Sequence, residues 1–369
     1  MSAPSRLEVE LGDRGYQIVV GEGLLDDLGA QVPLPLHARR ALVVTQPPLV
    51  AHGHAPRVER ALSGARLEVR RHVVPDGEVA KSTEVLAGIW SACADWPLGR
   101  DDVIVAVGGG VVGDLAGFAA ATWMRGVAVV QVPTTLLAMV DAAIGGKTAI
   151  DLPQGKNLVG AFHQPLAVAA DPSVLSTLPE RLRVEGAAEI VKAALLADPL
   201  LLERLERDPA GVRAGEPELI RMLVLRAAGI KAEVVAGDER EAGARAHLNL
   251  GHTYGHALET LTGYGTYLHG EAVSVGLVVA LELGADLGIT PPALVDRVRA
   301  VLGALGLPTA VPRLDRAALH ATLARDKKAR DGVRFVLLED VGRPAVQGVS
   351  SVELDAVLGR LEGADEPRG

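Results

Sequence analysis

The sequence has one cysteine in 369 residues, so no disulfide can form within the chain. That residue, Cys93, lies in WSACADW and is expected in a buried helix with no redox role. Aromatic residues make up 3% of the chain against a hydrophobic fraction of 49%. The cores must therefore be filled by Ala, Val and Leu, a mixture suited to helix-on-helix and helix-on-sheet packing. Basic residues are outnumbered 37 to 46, giving a net charge of −9. That balance argues against a general nucleic-acid surface or an anionic membrane as partner, and an anionic ligand would have to meet local basic contacts. The opening MSAPSRLEVELGDRG has no apolar core of signal-peptide type, and the longest apolar run, Ala272–Leu281, falls far short of a membrane span. A soluble cytoplasmic protein is expected. Internal repeats and low-complexity linkers are also lacking.

What is present falls into two textures, and the length favours two domains. Residues 6–20 alternate apolar and polar around Gly12-Asp13-Arg14-Gly15, the pattern of a hairpin. Arg40–Thr45 and Leu67–Val74 read as strands separated by a helix, the βαβ rhythm of a parallel sheet. Pro75-Asp76-Gly77 makes a turn that carries Glu78 and Lys81 ahead of a helix ending at Trp96. Asp101–Val107 is a buried strand that runs into Gly108-Gly109-Gly110-Val111-Val112-Gly113-Asp114 and then a helix. Glycines in that setting let a pyrophosphate approach the backbone N–H groups of the helix start. Two features depart from an ordinary dinucleotide fold: the motif follows two earlier strand units, and the next strand, Ala128–Val132, ends in Pro133-Thr134-Thr135 with no acidic residue. Asp141–Asn157 reads as a loop rich in glycine and lysine. Its Gly145-Gly146-Lys147-Thr148 fails the phosphate-loop pattern, because Asp141 stands where the first glycine belongs. Lys147, Lys156, Asn157 and backbone donors can still cradle an anion there. Ala167–Ala170 reads as a last short strand.

From Leu178 the periodicity turns helical: Arg181–Leu205, Pro217–Val235, Asn249–Leu261, Glu271–Leu287, Pro292–Leu305 and Arg316–Asp326. A hairpin, Val333–Leu338 with Pro344–Val349, and an amphipathic helix, Ser351–Glu362, follow. The expected fold is an α/β nucleotide-binding domain with a Rossmann-like parallel sheet, residues 1–177, followed by an all-α metal- and substrate-binding domain, residues 178–369. The first long helix carries Glu185, Glu189 and Lys192 on one face, and such charges are costly to bury unless they bind something. Leu248–Val275 gathers three of the ten histidines, His252, His256 and His269. The first two are four apart and share one side of a helix, and the third stands at the next helix start. Two histidines and a carboxylate form a common catalytic zinc set. Glu189, His252 and His269 would supply it, although spacing alone does not say which histidine is left over. Lys192, Lys231, Arg245, Asn249 and His256 are donors suited to carboxylate, hydroxyl and phosphate groups.

Taken in order, these stretches resemble the 3-dehydroquinate synthase family of sugar-phosphate cyclases. The resemblance runs through PDGE-x-x-KS at Pro75–Ser82, GGG-x-x-GD at Gly108–Asp114, Arg125-Gly126, PTTLLA-x-VDA-x-x-GGKT at Pro133–Thr148 and GKN at Gly155–Asn157. It continues through the EGAAEIVK helix, LNLGHTYGHALE, HGEAV and RDKK, and so covers most of the length. It implies zinc, or cobalt in its place, held by Glu189, His252 and His269, which leaves His256 uncoordinated near the substrate phosphate. It implies NAD on Glu78, Lys81, the turn Gly109, Gly110, Val111, Gly113 and Asp114, Thr134, Thr135, Lys147, Lys156 and Thr177. Substrate contacts would come from Asp141, Lys147, Asn157, Lys192, Lys231, Arg245, Asn249, His256 and one of Lys327 and Lys328. Arg125 would reach the phosphate of a neighbouring subunit in a homodimer. One departure is that Thr45 is followed by Gln46-Pro47-Pro48, where the family often places Asp or Asn to grip the adenosine ribose; Glu78 is the remaining candidate. The implied reaction converts 3-deoxy-D-arabino-heptulosonate 7-phosphate to 3-dehydroquinate and phosphate through transient oxidation, elimination, re-reduction and aldol closure. It is a shikimate-pathway step towards chorismate and the aromatic amino acids. The competing readings are a paralogous cyclase making an aminodehydroquinate, inosose or valiolone product, and a metal-dependent polyol dehydrogenase.

Overall fold

Apolar runs bounded by glycine and proline become the strands of one largely parallel sheet. The protein is described here by a computed structural model, which covers residues 3–240, 243–263, 265–326 and 333–363. Lys327 and Lys328, expected at the substrate, lie outside the described residues. The strands are β1 (Ser5–Val9), β2 (Tyr16–Val20), β3 (Arg40–Thr45), β4 (Glu68–Val73), β5 (Val103–Gly108), β6 (Ala128–Pro133), β7 (Lys147–Leu152), β8 (Gly155–Phe162), β9 (Ala167–Ala170), β10 (Val333–Asp340) and β11 (Arg343–Val349). The helices are α1 (Leu28–Gln31), α2 (Pro47–Ala51), α3 (His54–Gly64), α4 (Thr83–Asp95), α5 (Gly110–Thr122), α6 (Glu180–Ala197), α7 (Pro199–Arg207), α8 (Pro209–Ala214), α9 (Pro217–Gly237), α10 (His252–Leu261), α11 (His269–Asp286), α12 (Pro292–Ala304), α13 (Arg316–Asp326) and α14 (Ser351–Gly363).

Two compact units emerge in space: Met1–Pro179 with Pro217–Arg240, and Glu180–Glu216 with Glu241–Gly369. Helix α9, in the helical half of the sequence, thus belongs with the sheet. The first unit holds a seven-stranded sheet of order β1-β2-β9-β6-β5-β3-β4, parallel except for the β1–β2 hairpin. Every residue of β5 is buried, as a central strand covered on both faces requires. Leu42, Val44, Ile104 and Ala106 of the sheet pack with Leu86, Ile89 and Cys93 of α4 and with Leu115 and Ala119 of α5. Burial pushes the Cys93 thiol up to about 12, which keeps it un-ionised at neutral pH.

The structure differs from the sequence reading in two places. The stretch Asp141–Asn157, read as a loop, contains a π-helical turn at Ala138–Ala142 and the antiparallel pair β7–β8. The helix read across Arg181–Leu205 is broken. Asp198 accepts from the Leu201 N–H and caps α7, with Pro199 at its first turn, and proline has no N–H with which to continue α6.

The second unit is built on α6, α10 and α11, with the β10–β11 hairpin beside them. Residues 184–196 of α6 are all buried, so charged groups on this helix sit in an interior. Glycine lets the helices come close. A Cβ on Gly270 would lie 1.9 Å from the Glu185 carbonyl oxygen of α6, and one on Gly276 would lie 1.8 Å from the Gly251 carbonyl oxygen. These contacts draw α11 against α6 and α10 together. Gly276→Ala should therefore destabilise the fold by about 2–3 kcal/mol in denaturant unfolding. Gly359→Ala, in α14 with open space around it, should be neutral or slightly stabilising. Equal stability of the two variants would refute the close-crossing account.

Candidate active site

In the second unit Glu189, His252 and His269 converge. Each offers one ligand atom, and the three atoms lie within 4.8 Å of one another. His252 Nε2 is 3.4 Å and His269 Nε2 is 3.7 Å from Glu189 Oε1. The opposite ring nitrogens fix both tautomers. His252 Nδ1 lies 3.1 Å from the Leu250 carbonyl oxygen, and His269 Nδ1 lies 3.1 Å from Glu259 Oε2. Carbonyls and carboxylates only accept, so each Nδ1 is a donor and each Nε2 is the ring atom turned towards Glu189.

A lone pair on His252 Nε2 and the buried carboxylate oxygen facing it repel. Proton uptake does not relieve this at His252, whose pKa is held well below its ordinary value, first by burial and then by the Lys192 charge. The Glu189 side chain is 2% exposed, and neither of its oxygens accepts a well-formed hydrogen bond. The Lys192 ammonium stands against Oε2, leaving Oε1 to the imidazoles. A divalent cation fits this donor set: two imidazole Nε2 atoms and a carboxylate oxygen.

The uncommitted histidine belongs to the same group. The His256 ring is 5.2 Å from that of His252 and 5.9 Å from that of His269, on the exposed side. A second set, His256, Glu259 and His269, also meets the distance condition. There, however, the nearby His269 nitrogen is the protonated Nδ1 already given to Glu259. The start of α11 is held by two carboxylates, Glu185 on the Gly270 N–H at 3.3 Å and Glu271 on the Leu268 N–H at 2.9 Å, as the helix dipole favours. Burial raises the Glu185 carboxyl to about 7. Arg245, 2% exposed, and the half-buried Asn249 lie on the 3-10 turn that leads into α10.

The first unit gathers the anion-binding candidates. Lys81, 4% exposed, donates to Asp114 Oδ2 at 2.6 Å and to Asn157 Oδ1. Asp114 is pushed up by burial and drawn back by Lys81. Asn157 sits at φ +56°, its N–H donated to Asp151 at 2.8 Å. Glu78 lies 3.5 Å from Lys156 and 3.9 Å from Lys81. Gly109 is the N-cap of α5 and offers no side-chain cap, so Gly110, Val111 and their neighbours present the helix-start N–H groups that a pyrophosphate would use. A Cβ on Gly113 would meet the end of the Gln131 side chain, Oε1, at 2.8 Å, so α5 runs close to β6 at this turn. Thr134 is buried at the end of β6, and Thr135 accepts from the Ala138 N–H at 3.1 Å. The Thr177 hydroxyl donates to the Val174 carbonyl at 2.8 Å and stands 2.8 Å from His54 Nε2. Lys231 of α9 donates to Asp141 Oδ1 at 2.6 Å and to its carbonyl at 2.7 Å, so these two candidates form one pair. Lys147 begins β7, and Arg125 adopts φ +69° next to β6. Together these features suit a dinucleotide diphosphate.

Four supporting residues were not singled out as site residues from the sequence. Glu259 and Glu185 orient His269 and its helix, Asp151 orients Asn157, and His54 orients Thr177. Glu259 had a legible signal, standing three residues after His256 on the same helix.

Fold and site define a protein with an α/β nucleotide-binding sheet and a helical metal-binding unit. The chain matches the families described as 3-dehydroquinate synthase N-terminal over residues 71–185 and 3-dehydroquinate synthase C-terminal over residues 186–329. It is 47% identical over 337 residues to a 3-dehydroquinate synthase of Geobacter metallireducens, covering 91% of this chain and 93% of that protein. The chain belongs to the 3-dehydroquinate synthase family. Among solved structures it is similar to a 2-deoxy-scyllo-inosose synthase complexed with carbaglucose-6-phosphate, NAD⁺ and Co²⁺, at TM-score 0.86 and 27% identity over 96% of this chain and 99% of that one. It is also similar to the 2-epi-5-epi-valiolone synthase ValA of Streptomyces hygroscopicus subsp. jinggangensis with NAD⁺ and Zn²⁺ bound, at TM-score 0.86 and 28% identity over 95% and 97% of the two chains.

His269→Ala and Glu189→Gln should each abolish tight zinc binding, read as metal content after dialysis. Lys192→Ala should keep its zinc while turnover falls by about a hundredfold or more. A fully loaded His269→Ala protein would remove that residue from the ligand set, and zinc loss in Lys192→Ala would recast the lysine as a structural prop.

Proposed function

We propose that this chain is a 3-dehydroquinate synthase that converts 3-deoxy-D-arabino-heptulosonate 7-phosphate to 3-dehydroquinate and phosphate, with NAD and zinc, or cobalt in its place. The observation that carries the reading is the buried Glu189 facing the Nε2 atoms of His252 and His269 in a chain of this family. Glu189, His252 and His269 would hold the metal. Glu78, Lys81, the Gly109–Asp114 turn, Thr134, Thr135, Lys147, Lys156 and Thr177 would hold NAD. When bound, NAD⁺ supplies a transient hydride acceptor and the divalent cation supplies Lewis-acid polarisation of substrate oxygens.

The chain's own residues bind and orient. Lys192, poised by Glu189, donates to the hydroxyl oxygen at the carbon that is oxidised and later reduced. Lys147, Asn157, Lys231, Asp141, Arg245, Asn249 and His256 would contact the polar and anionic groups of the substrate, and fixing those groups favours one reactive conformation. The substrate phosphate is itself a base for the proton lost on elimination. Lys231, Arg245 and Asn249 suit a substrate carboxylate, which favours dehydroquinate over the inosose and valiolone products. Such a donor set has little use in a simple polyol dehydrogenase.

No described helix is long and apolar enough to cross a membrane. The enzyme acts in the cytoplasm on a small phosphorylated sugar acid, without nucleic-acid or membrane partners, and works as a homodimer. The hairpin β7–β8 supports the dimer. Leu158 and Phe162 are 60% and 47% exposed, and the turn bearing Met124 and Arg125 lies beside it through His163 Nε2, 2.9 Å from the Val127 carbonyl. A second copy covering this rim is the use made of its apolar surface, and Arg125 is the residue offered to a neighbour's phosphate.

Two tests follow. Purified protein given the heptulosonate phosphate, zinc and a catalytic amount of NAD⁺ should release phosphate over many turnovers without accumulating NADH. Silence there with activity on a sedoheptulose phosphate, or NADH rising in proportion to product, would overturn the reading. Phe162→Asp should shift the sedimenting species from dimer to monomer, and an unchanged dimer would place the interface elsewhere.

A further inference from the structure

Tyr254 stands between His252 and His256 in sequence, but two residues along a helix is more than half a turn, so it leaves α10 on the other side. Its side chain is 0% exposed, and its hydroxyl has no hydrogen-bond partner. Among the other buried atoms of this unit without a hydrogen-bond partner are Arg316 Nη1 and Glu362 Oε1. They are the spare arms of one ion pair, whose other atoms, Arg316 Nη2 and Glu362 Oε2, lie 2.7 Å apart. Arg316 opens α13, which packs on α10, and Glu362 lies at the end of α14, which packs on α11. The pair is fixed from outside: Arg316 Nε is 3.5 Å and His320 Nε2 is 3.0 Å from Asp355 Oδ1. After burial, the charges that act most on the Tyr254 hydroxyl are those of Glu362 and Arg316.

A phenol O–H, a guanidinium N–H and a carboxylate oxygen make a complementary set for one water molecule. The water accepts from the arginine, donates to the glutamate and exchanges a hydrogen bond with the phenol. An interior water with three such partners is an ordinary structural element, and leaving all three groups dry costs more than ordering it. We propose that one ordered water joins Tyr254, Arg316 and Glu362, and that this bridge makes Tyr254 a positioning residue for the metal centre. It ties α10 to α13 and α14, and so fixes the roll of α10 on which the directions of His252 and His256 depend. The second part rests on the metal reading given above; the bridge itself does not.

Tyr254→Phe removes only the hydroxyl and keeps the packing. Compared with wild type in chelator competition, it should bind zinc about tenfold more weakly, with the same stoichiometry at saturation. Glu362→Ala should weaken binding in the same direction, and the double variant should be little worse than the poorer single one. Denaturant unfolding of the metal-free proteins in chelator should show the same non-additivity. Wild-type zinc affinity in Tyr254→Phe would overturn the positioning role. Additive effects in the metal-free cycle, or a metal-free Tyr254→Phe more stable than wild type, would overturn the bridge. If wild type itself binds no zinc, the metal reading falls, and the metal-free cycle still decides the bridge.

Discussion

A carboxylate buried at 2% exposure beside a lysine and two imidazoles is the constraint on which the helical unit is built. Removing a charge from water costs several kcal/mol, and one ammonium on one oxygen does not satisfy the other. The remaining oxygen faces two imidazole Nε2 atoms, a donor set that suits a divalent cation. Much of the surrounding sequence serves that meeting. Gly270 and Gly276 let the backbones approach, Glu185 and Glu271 hold the start of the helix bearing His269, and the Leu250 carbonyl and Glu259 set the tautomers.

The sheet unit solves a different problem. The chain is acidic overall, at −9, yet its expected ligands are anions. Its useful cations are accordingly stored in pairs: Lys81 with Asp114 and Asn157, Lys231 with Asp141, and Lys156 near Glu78. Each pairing holds a partly buried ammonium in place, at the cost of a carboxylate beside it. Backbone N–H groups at the start of α5 add positive potential without a side chain.

Much of this was legible in the residues. The buried strand before Gly108, the helical texture after Leu178 and the four-residue spacing of His252 and His256 depend on local periodicity, which a sequence displays directly. Boundaries such as Arg40–Thr45 and Arg316–Asp326 agree with the observed elements. The β7–β8 hairpin escaped because glycine and lysine obscure its alternation and most of β8 is exposed, so neither face reads as apolar. The break at Asp198-Pro199 was written in the sequence as a cap followed by proline, but it was overridden by the apolar run on either side. The partners of the site residues were hidden for a different reason. Asp151 and His54 act through contacts set by tertiary packing, and nothing in their immediate neighbours distinguishes them from surface polar residues; Glu185 stood out on the face it shares with Glu189 and Lys192, but its partner, the Gly270 N–H, did not. Helix α9 carries a similar lesson, since its position in the chain says nothing of its place beside the sheet.

The most direct test of the central claim is anomalous diffraction at the zinc edge from crystals of the zinc-loaded protein. The account predicts one strong peak bonded to Glu189, His252 Nε2 and His269 Nε2, with His256 uncoordinated. A peak held instead by His256 and Glu259, or no peak within bonding reach of Glu189, would contradict it.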